Sequence, residues 1–433
     1  MFESRGAALA ALIFLVFVQA PCSADEPCKT PLTADKVVSC ALSVSPDVQI
    51  ARREFDALRG RRTSAGIWLP SNPNVSFNGG DRELVERPGG VSAFNWTATL
   101  SQEVEVAGQR GLRLSVADAE LEAQTRRVVV TELEVAARAL STFFEVQAAR
   151  EELSLAERLG QIAQSLSELA EQRSKIGLLS PVDADVAQSE SIRIGVIRYE
   201  ARRRFYSAQA DLNGLLRRDF DGPVELAGSL RTTFPLPPEV HAGASSFVSR
   251  ALLLRGEIAA ADAERRVLEA QLQLIRRARL PNPTFSIYRQ RDELRDRIFG
   301  GGISIAIPLP APLGQDRAGE IEETIALIGQ AKSNVELVKR NVRIEATQAY
   351  ENWQTSSDAL TLFPPELVGR ANQDLDLIRQ AIGSRQLSLR EALLAQRSLV
   401  DLLLADIEAR LNYSLARANL MRVGGYPVPG MNQ

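Results

Sequence analysis

Few residues in this chain could do bond-making chemistry. It has one histidine, His241, and three cysteines, Cys22, Cys28 and Cys40. A structural or catalytic metal centre needs three or four such ligands at close spacing, and they are missing. There is no Gly-x-Ser-x-Gly elbow and no phosphate-cradling glycine loop. Gly300 to Gly302 reads as the opening of a strand, and His241, beside Pro237-Pro238, reads as a solvated loop residue. The pattern predicts no enzyme, no cofactor and no metal site. Two kinds of chemistry remain. Cys28 and Cys40 form an even pair, which can close one short-loop disulfide in an oxidising compartment or stay as two thiols. Asp374 and Asp376 can act electrostatically. Asp374 has helical spacing to Ala371 and Ile378, which predicts that a carboxylate shares their face.

The elements that would position these residues are long helices and a few strands. The charged fraction is 24% and the aromatic fraction 6%, a balance that favours helices. The net charge of -3 argues against a nucleic-acid partner, which needs concentrated basic surface. At the N-terminus the apolar run Ala7 to Val18 is shorter than the ~20 residues of a membrane span. It predicts a secretory signal over residues 1–24 with cleavage after Ala24. Pro21 is a poor fit to the small residue that a lipoprotein signal requires before Cys22.

Beyond the signal, the chain says the same thing twice. Ser180 to Gln188 matches Ser388 to Gln396, and each copy follows an Ile-Gly pair. Leu69-Pro70 and Asn72-Pro73 recur as Leu280-Pro281 and Asn282-Pro283. The expected repeats are 25–238 and 239–424, followed by a tail at 425–433. The first holds a hairpin at about 73–106, a long helix at 108–175, a return helix at 181–218 and a Pro-rich connector. The second holds a hairpin at about 283–309, a long helix at 315–381 interrupted at Pro364-Pro365, and a return helix at 388–422. In the hairpins Phe94, Trp96, Ala98 and Leu100, and then Ile303, Ile305, Ile307 and Leu309, alternate with smaller or polar residues. In the first long helix Leu155, Leu159, Ile162, Leu166 and Leu169 keep heptad spacing.

Strands that alternate apolar and polar suit a wall with lipid on one side and water on the other. Phe94, Trp96, Ile303 and Ile305 are the predicted lipid-facing residues. Four strands are too few to close a barrel, for which about eight is the minimum. Several chains must therefore pool them, and the helices with them.

These motifs, in order and duplicated, resemble the TolC-like outer-membrane efflux ducts, closest to the heavy-metal (CzcC/CusC-like) branch. The carriers are Leu32-Thr33 with Ser45-Pro46-Asp47, the two Leu-Pro/Asn-Pro pairs, Gln102-Glu103-Val104-Glu105 with Gly108-Gln109-Arg110-Gly111, Ile307-Pro308-Leu309 with Gly314, and the two hairpin tips. The resemblance implies a mainly α homotrimer. Long antiparallel helical hairpins would form a periplasmic α-barrel, and four strands per protomer would complete a 12-stranded barrel in the outer membrane of a Gram-negative cell. It implies docking to a periplasmic adaptor and an inner-membrane resistance-nodulation-division pump, through Ile176, Gly177, Leu178 and Ser180 in the first tip and Ile382, Gly383, Ser384 and Arg385 in the second. Ser180 with Asp183 and Ser388 with Glu391 also have capping-box spacing. Asp374 and Asp376 fall where such ducts narrow at the periplasmic entrance. The expected function is passive conduction of metal cations or small toxic compounds to the exterior. A polypeptide-secretion duct of the same family and a periplasmic coiled-coil scaffold are the alternatives.

Overall fold

The computed structural model describes residues 28, 31–84, 91–231, 234–291, 296–310, 314, 316–383 and 388–431, with backbone alone at 82–84, 91–93, 376 and 379–383. The expected signal at 1–24 and the tip residues Ser384 and Arg385 lie outside the described residues. In chain order the elements are α1 (Ala34–Val44), α2 (Pro46–Ala65), β1 (Asn74–Leu84), β2 (Val91–Glu103), α3 (Gln109–Lys175), α4 (Pro181–Leu215), α5 (Pro238–His241), α6 (Ala244–Leu254), α7 (Gly256–Arg277), β3 (Pro283–Arg291), β4 (Arg297–Ile305), α8 (Ala318–Thr361), α9 (Pro365–Gly383) and α10 (Leu389–Gly424). The chain is mostly helical with a small strand part.

Local chemistry sets the helix boundaries. The Thr33 hydroxyl accepts from the Lys36 N–H at the start of α1. Ser45 ends α1 and Pro46 occupies the first turn of α2, where its missing N–H costs nothing. α3 has 67 residues and is about 100 Å long. The break between α8 and α9 falls at Leu362–Pro364, before Pro365, because a proline cannot donate into the preceding turn. β4 stops at Ile305, short of the expected 309, because Pro308 and Pro310 cannot donate to a ladder.

α3 is the spine, with α1, α2, α4, α7 and α10 packed along it. A first core gathers Val37, Val38, Cys40, Leu140, Phe143, Phe144, Leu212 and Met421 near its middle. A second, towards the hairpin tips, gathers Leu159, Leu166, Ile194, Leu375, Val400 and Leu403. α6, α8 and α10 enclose a third around Phe247, Val342 and Leu420. Cys28 and Cys40 form a disulfide at the edge of the first core, so the pair left open by the sequence is joined. His241 is exposed, but it ends the one-turn helix α5 rather than lying in a loop. Its ring sits 6.4 Å from Trp353.

The strands make one antiparallel sheet in the order β1-β2-β3-β4. The helices that continue them keep that order, α2 beside α3, α3 beside α7 and α7 beside α8.

Candidate functional site: a two-faced sheet and a hairpin tip

Cross-strand partners lie on the same face of a sheet, so the register sorts the side chains. Phe77 pairs with Ala98, Gly79 with Trp96 and Asp81 with Phe94. Leu100 pairs with Ile287 and Gln102 with Phe285, and Phe285 pairs with Ile303 and Pro283 with Ile305. One face therefore carries Val75, Phe77, Phe94, Trp96, Leu100, Phe285, Ile287, Phe299, Ile303 and Ile305. The four expected lipid-facing residues share it. Phe77 and Trp96 stack at 5.9 Å, and Phe94, Phe299, Ile303 and Ile305 stand exposed. Charges on this face, Asp81, Arg289, Arg291 and Arg297, collect toward the hairpin-turn end. The other face carries Asn74, Ser76, Asn78, Asn95, Thr97, Thr99, Ser101, Thr284, Ser286, Gln290 and Ser304, with Tyr288 and Ile298 as its larger members.

Gly300 to Gly302 lie in the middle of β4 and do not open it. A Cβ at Gly300 would fall 2.5 Å from the Tyr288 ring, so glycine there makes room for a bulky cross-strand neighbour.

At the sheet's helix-side end, a polar network locks the strand exits. Gln109 is buried and donates to Asn282 Oδ1 at 2.8 Å. Asn282 donates to Glu103 at 2.7 Å, and Ala107 N–H donates to Gln109 Oε1 at 2.9 Å. Arg113 pairs with Glu105. This gives the Gln102–Glu105 and Gly108–Gly111 motifs a structural role that the sequence alone did not reveal.

At the opposite end lies the α3–α4 tip. Gly177 adopts φ +74°, its N–H donates to Ser174 O, and Leu178 N–H donates to Arg173 O. This pair of bonds is a Schellman reversal, which favours glycine. Ile176 and Leu178 point outward, 69% and 62% exposed. Ser180 caps Val182 N–H at 3.3 Å. Asp183 does not close the expected box with Ser180; it lies 3.9 Å from Arg390 on α10. Ser388 and Glu391 do form a reciprocal box, and the Ser388 hydroxyl and N–H hold the Glu391 carboxyl below its ordinary value. Ile382 and Gly383 are the last residues of α9. Between α4 and α10, Val182, Val186, Leu389, Leu393 and Leu394 line a groove of about 170 Å³, edged by Asp183, Arg390, Glu190 and Arg397. The Arg397–Glu190 pair spans it at 3.5 Å. The exposed valines at 182 and 186, one turn apart, were the signal available for this groove.

Asp374 is exposed, whereas Ala371, Leu375 and Ile378 are buried. The buried stripe runs through Leu375, so the expectation that Asp374 shares the face of Ala371 and Ile378 is corrected. A quarter-turn offset takes the carboxylate off the packed face and into solvent. Asp376 is described by its backbone alone. Farther up α10, buried Asp406 pairs with buried Arg410, which lies 3.6 Å from Glu151. Burial, and then Arg231, push the Arg410 guanidinium below its ordinary value, while Glu151 pulls it back.

Residues 37–218 match the model of the outer membrane efflux protein family. The resemblance carried by the duplicated motifs is thus borne out. The chain is 27% identical over 280 residues to the cobalt-zinc-cadmium resistance protein CzcC of Cupriavidus metallidurans, covering 65% of this chain and 63% of that protein. It therefore spans a little under two thirds of that relative's length. Its fold matches CusC, whose crystal structures concern folding and transmembrane channel formation, with a TM-score of 0.71 at 16% identity over 91% of this chain and 92% of CusC. It also matches the outer membrane protein VceC of Vibrio cholerae, with a TM-score of 0.71 at 16% identity over 91% of this chain and 96% of VceC.

Proposed function

We propose that this chain is the outer-membrane exit duct of a tripartite efflux pump, built as a homotrimer and conducting metal cations passively from the periplasm to the exterior. The observation that carries this reading is the four-stranded sheet with one apolar and one polar face and two unpaired edges, β1 and β4. Hydrocarbon tolerates strands only when every backbone group is paired, so both edges must meet strands of other copies. Three copies of this sheet make twelve strands, apolar side out and polar side toward a water-filled lumen. The strands have 9 to 13 residues, and about 9–11 tilted residues cross a bilayer.

The order of elements supports two similar halves. An 11-residue helix, a second helix and a hairpin occur as α1-α2-β1-β2 and again as α6-α7-β3-β4. Along α4, Ile192, Val196, Tyr199 and Tyr206 form an exposed apolar stripe at coiled-coil spacing. A neighbouring copy would cover it and extend the α-barrel into the periplasm. The exposed Ile176 and Leu178 at the first tip, with the adjoining Val182–Leu394 groove, are the surface offered to a periplasmic adaptor, and through it to an inner-membrane resistance-nodulation-division pump. A ring of three Asp374 carboxylates at the entrance would favour cations. The metal-resistance name of the CzcC relative supports the cargo.

Fractionation and planar-bilayer recording test this reading together. The full chain is expected in the outer membrane as a trimer with discrete conductance, and deletion of residues 91 to 106 is expected to remove it from that membrane. A monomer soluble in plain buffer would overturn the proposal.

A further inference from the structure

We infer that the strand–helix junction is a collar that binds the anionic headgroups of phospholipids in the periplasm-facing leaflet. The inference rests on the membrane-barrel reading above and adds a specific ligand class. All four junctions lie at one end of the sheet: α2 into β1, β2 into α3, α7 into β3 and β4 into α8. Directly below the apolar band, Trp68 is 76% exposed, and Ile67, Leu280 and Ile307 are exposed with it. A tryptophan left this open is at home in the headgroup layer, where an amphipathic ring meets both lipid and water. The Arg110 guanidinium lies 4.0 Å from the Trp68 ring centre and donates to Gly66 O at 2.9 Å, so the ring and one cation are held together.

Several arginines near the junctions stand without an acidic partner among the described residues, although the whole chain is at -3. Neighbouring arginines are already matched: Arg62 with Asp118, Arg113 with Glu105, Arg279 with Asp316 and Arg317 with Glu320. Arg61, near the end of α2, and Arg276 and Arg277, in the last turn of α7, are exposed and make no ion pair among the described residues. The Leu280 N–H donates to Arg277 O, so the turn closes directly beyond the α7 arginines and exposed Leu280 follows them within one turn. Cations beside exposed apolar side chains at a membrane boundary match a phosphodiester whose acyl chains lie just above. A free soluble anion would have no use for the apolar half of the surface.

Tryptophan quenching by brominated lipids tests the collar in the intact trimer reconstituted in nanodiscs. In the W96F/W353F background Trp68 is the only tryptophan, and W68F/W353F leaves Trp96 alone. Half-quenching of Trp68 is expected at a mole fraction of brominated phosphatidylglycerol on the order of tenfold below that of brominated phosphatidylethanolamine at physiological salt. In R61Q/R276Q/R277Q the two lipids are expected to quench alike, and free glycerol phosphate is expected to leave the preference intact. If Trp96 is quenched but Trp68 is not, or Trp68 shows no lipid preference, the collar is wrong and the barrel stands. If glycerol phosphate abolishes the preference, the site is for a soluble anion and the lipid assignment fails. An unquenched Trp96 would instead remove the membrane-barrel reading on which the collar depends.

Discussion

Gly177→Val tests the docking proposed for the first hairpin tip separately from folding. At φ +74° a residue bearing a Cβ costs about 1–2 kcal/mol, and a β-branched one more. A Cβ built there meets nothing within 4 Å, so the cost is backbone strain with no packing lost. If the strain also breaks the Gly177–Ser174 and Leu178–Arg173 bonds, each contributes roughly 0.5–1.5 kcal/mol. The total, about 5 kcal/mol plus the β-branched surcharge at the upper end, falls on one exposed turn. The helices on either side bury Leu155, Leu159, Leu166 and Ile194, and each such side chain contributes about 1.5–3 kcal/mol. The hairpin therefore survives its damaged turn. The valine variant is expected to run as a heat-modifiable trimer in outer-membrane fractions, while metal resistance in a strain lacking the native gene drops to the empty-vector level. Gly177→Asn is the control: asparagine tolerates the left-handed region yet still puts a side chain on the docking surface. It is expected to fold normally and to lose part of the resistance. Loss of the trimer in the valine variant would refute the reasoning. A fully active asparagine variant would do so as well, by tracing the defect to backbone geometry instead of contact.

Asp374→Ala is expected to raise single-channel conductance or reduce cation preference in planar bilayers, and an unchanged channel would reject the entrance ring. Asp406→Ala leaves buried Arg410 without its nearest partner and is expected to destabilise the helical part by about 3–5 kcal/mol, read as a lowered thermal midpoint. The paired D406L/R410M change is expected to recover most of that loss. Burial by itself would raise the Glu257 carboxyl, but hydrogen bonding and charge from Arg255 hold it below its ordinary value. A depressed carboxylate contributes stability that is present above its unfolded pKa and lost as pH falls through the folded one. Thermal midpoints are thus expected to fall on acidification through the carboxylate range, less steeply in Glu257→Gln, and parallel curves for the two proteins would remove Glu257 from the account.

Local periodicity and capping chemistry made much of this molecule readable from sequence. The alternation in Phe94–Leu100 and the heptads of Leu155–Leu169 report directly which way successive side chains point, because strand and helix repeats are properties of the backbone alone. Ser45-Pro46, Ser180-Pro181, Gly177 and the Pro364-Pro365 break are likewise decided within a few residues. The tertiary structure decided what depends on distant partners. It set β2 against β3 across about 190 residues, and so gathered Phe94, Trp96, Ile303 and Ile305 on one face. Core packing chose Leu375 over Asp374 for the buried stripe of α9 and carried Asp183 across to Arg390. It also joined Gln109, Asn282 and Glu103 into the lock at the strand exits. Each of these outcomes compares the burial or pairing of groups far apart in the chain, a balance that no short window of sequence contains.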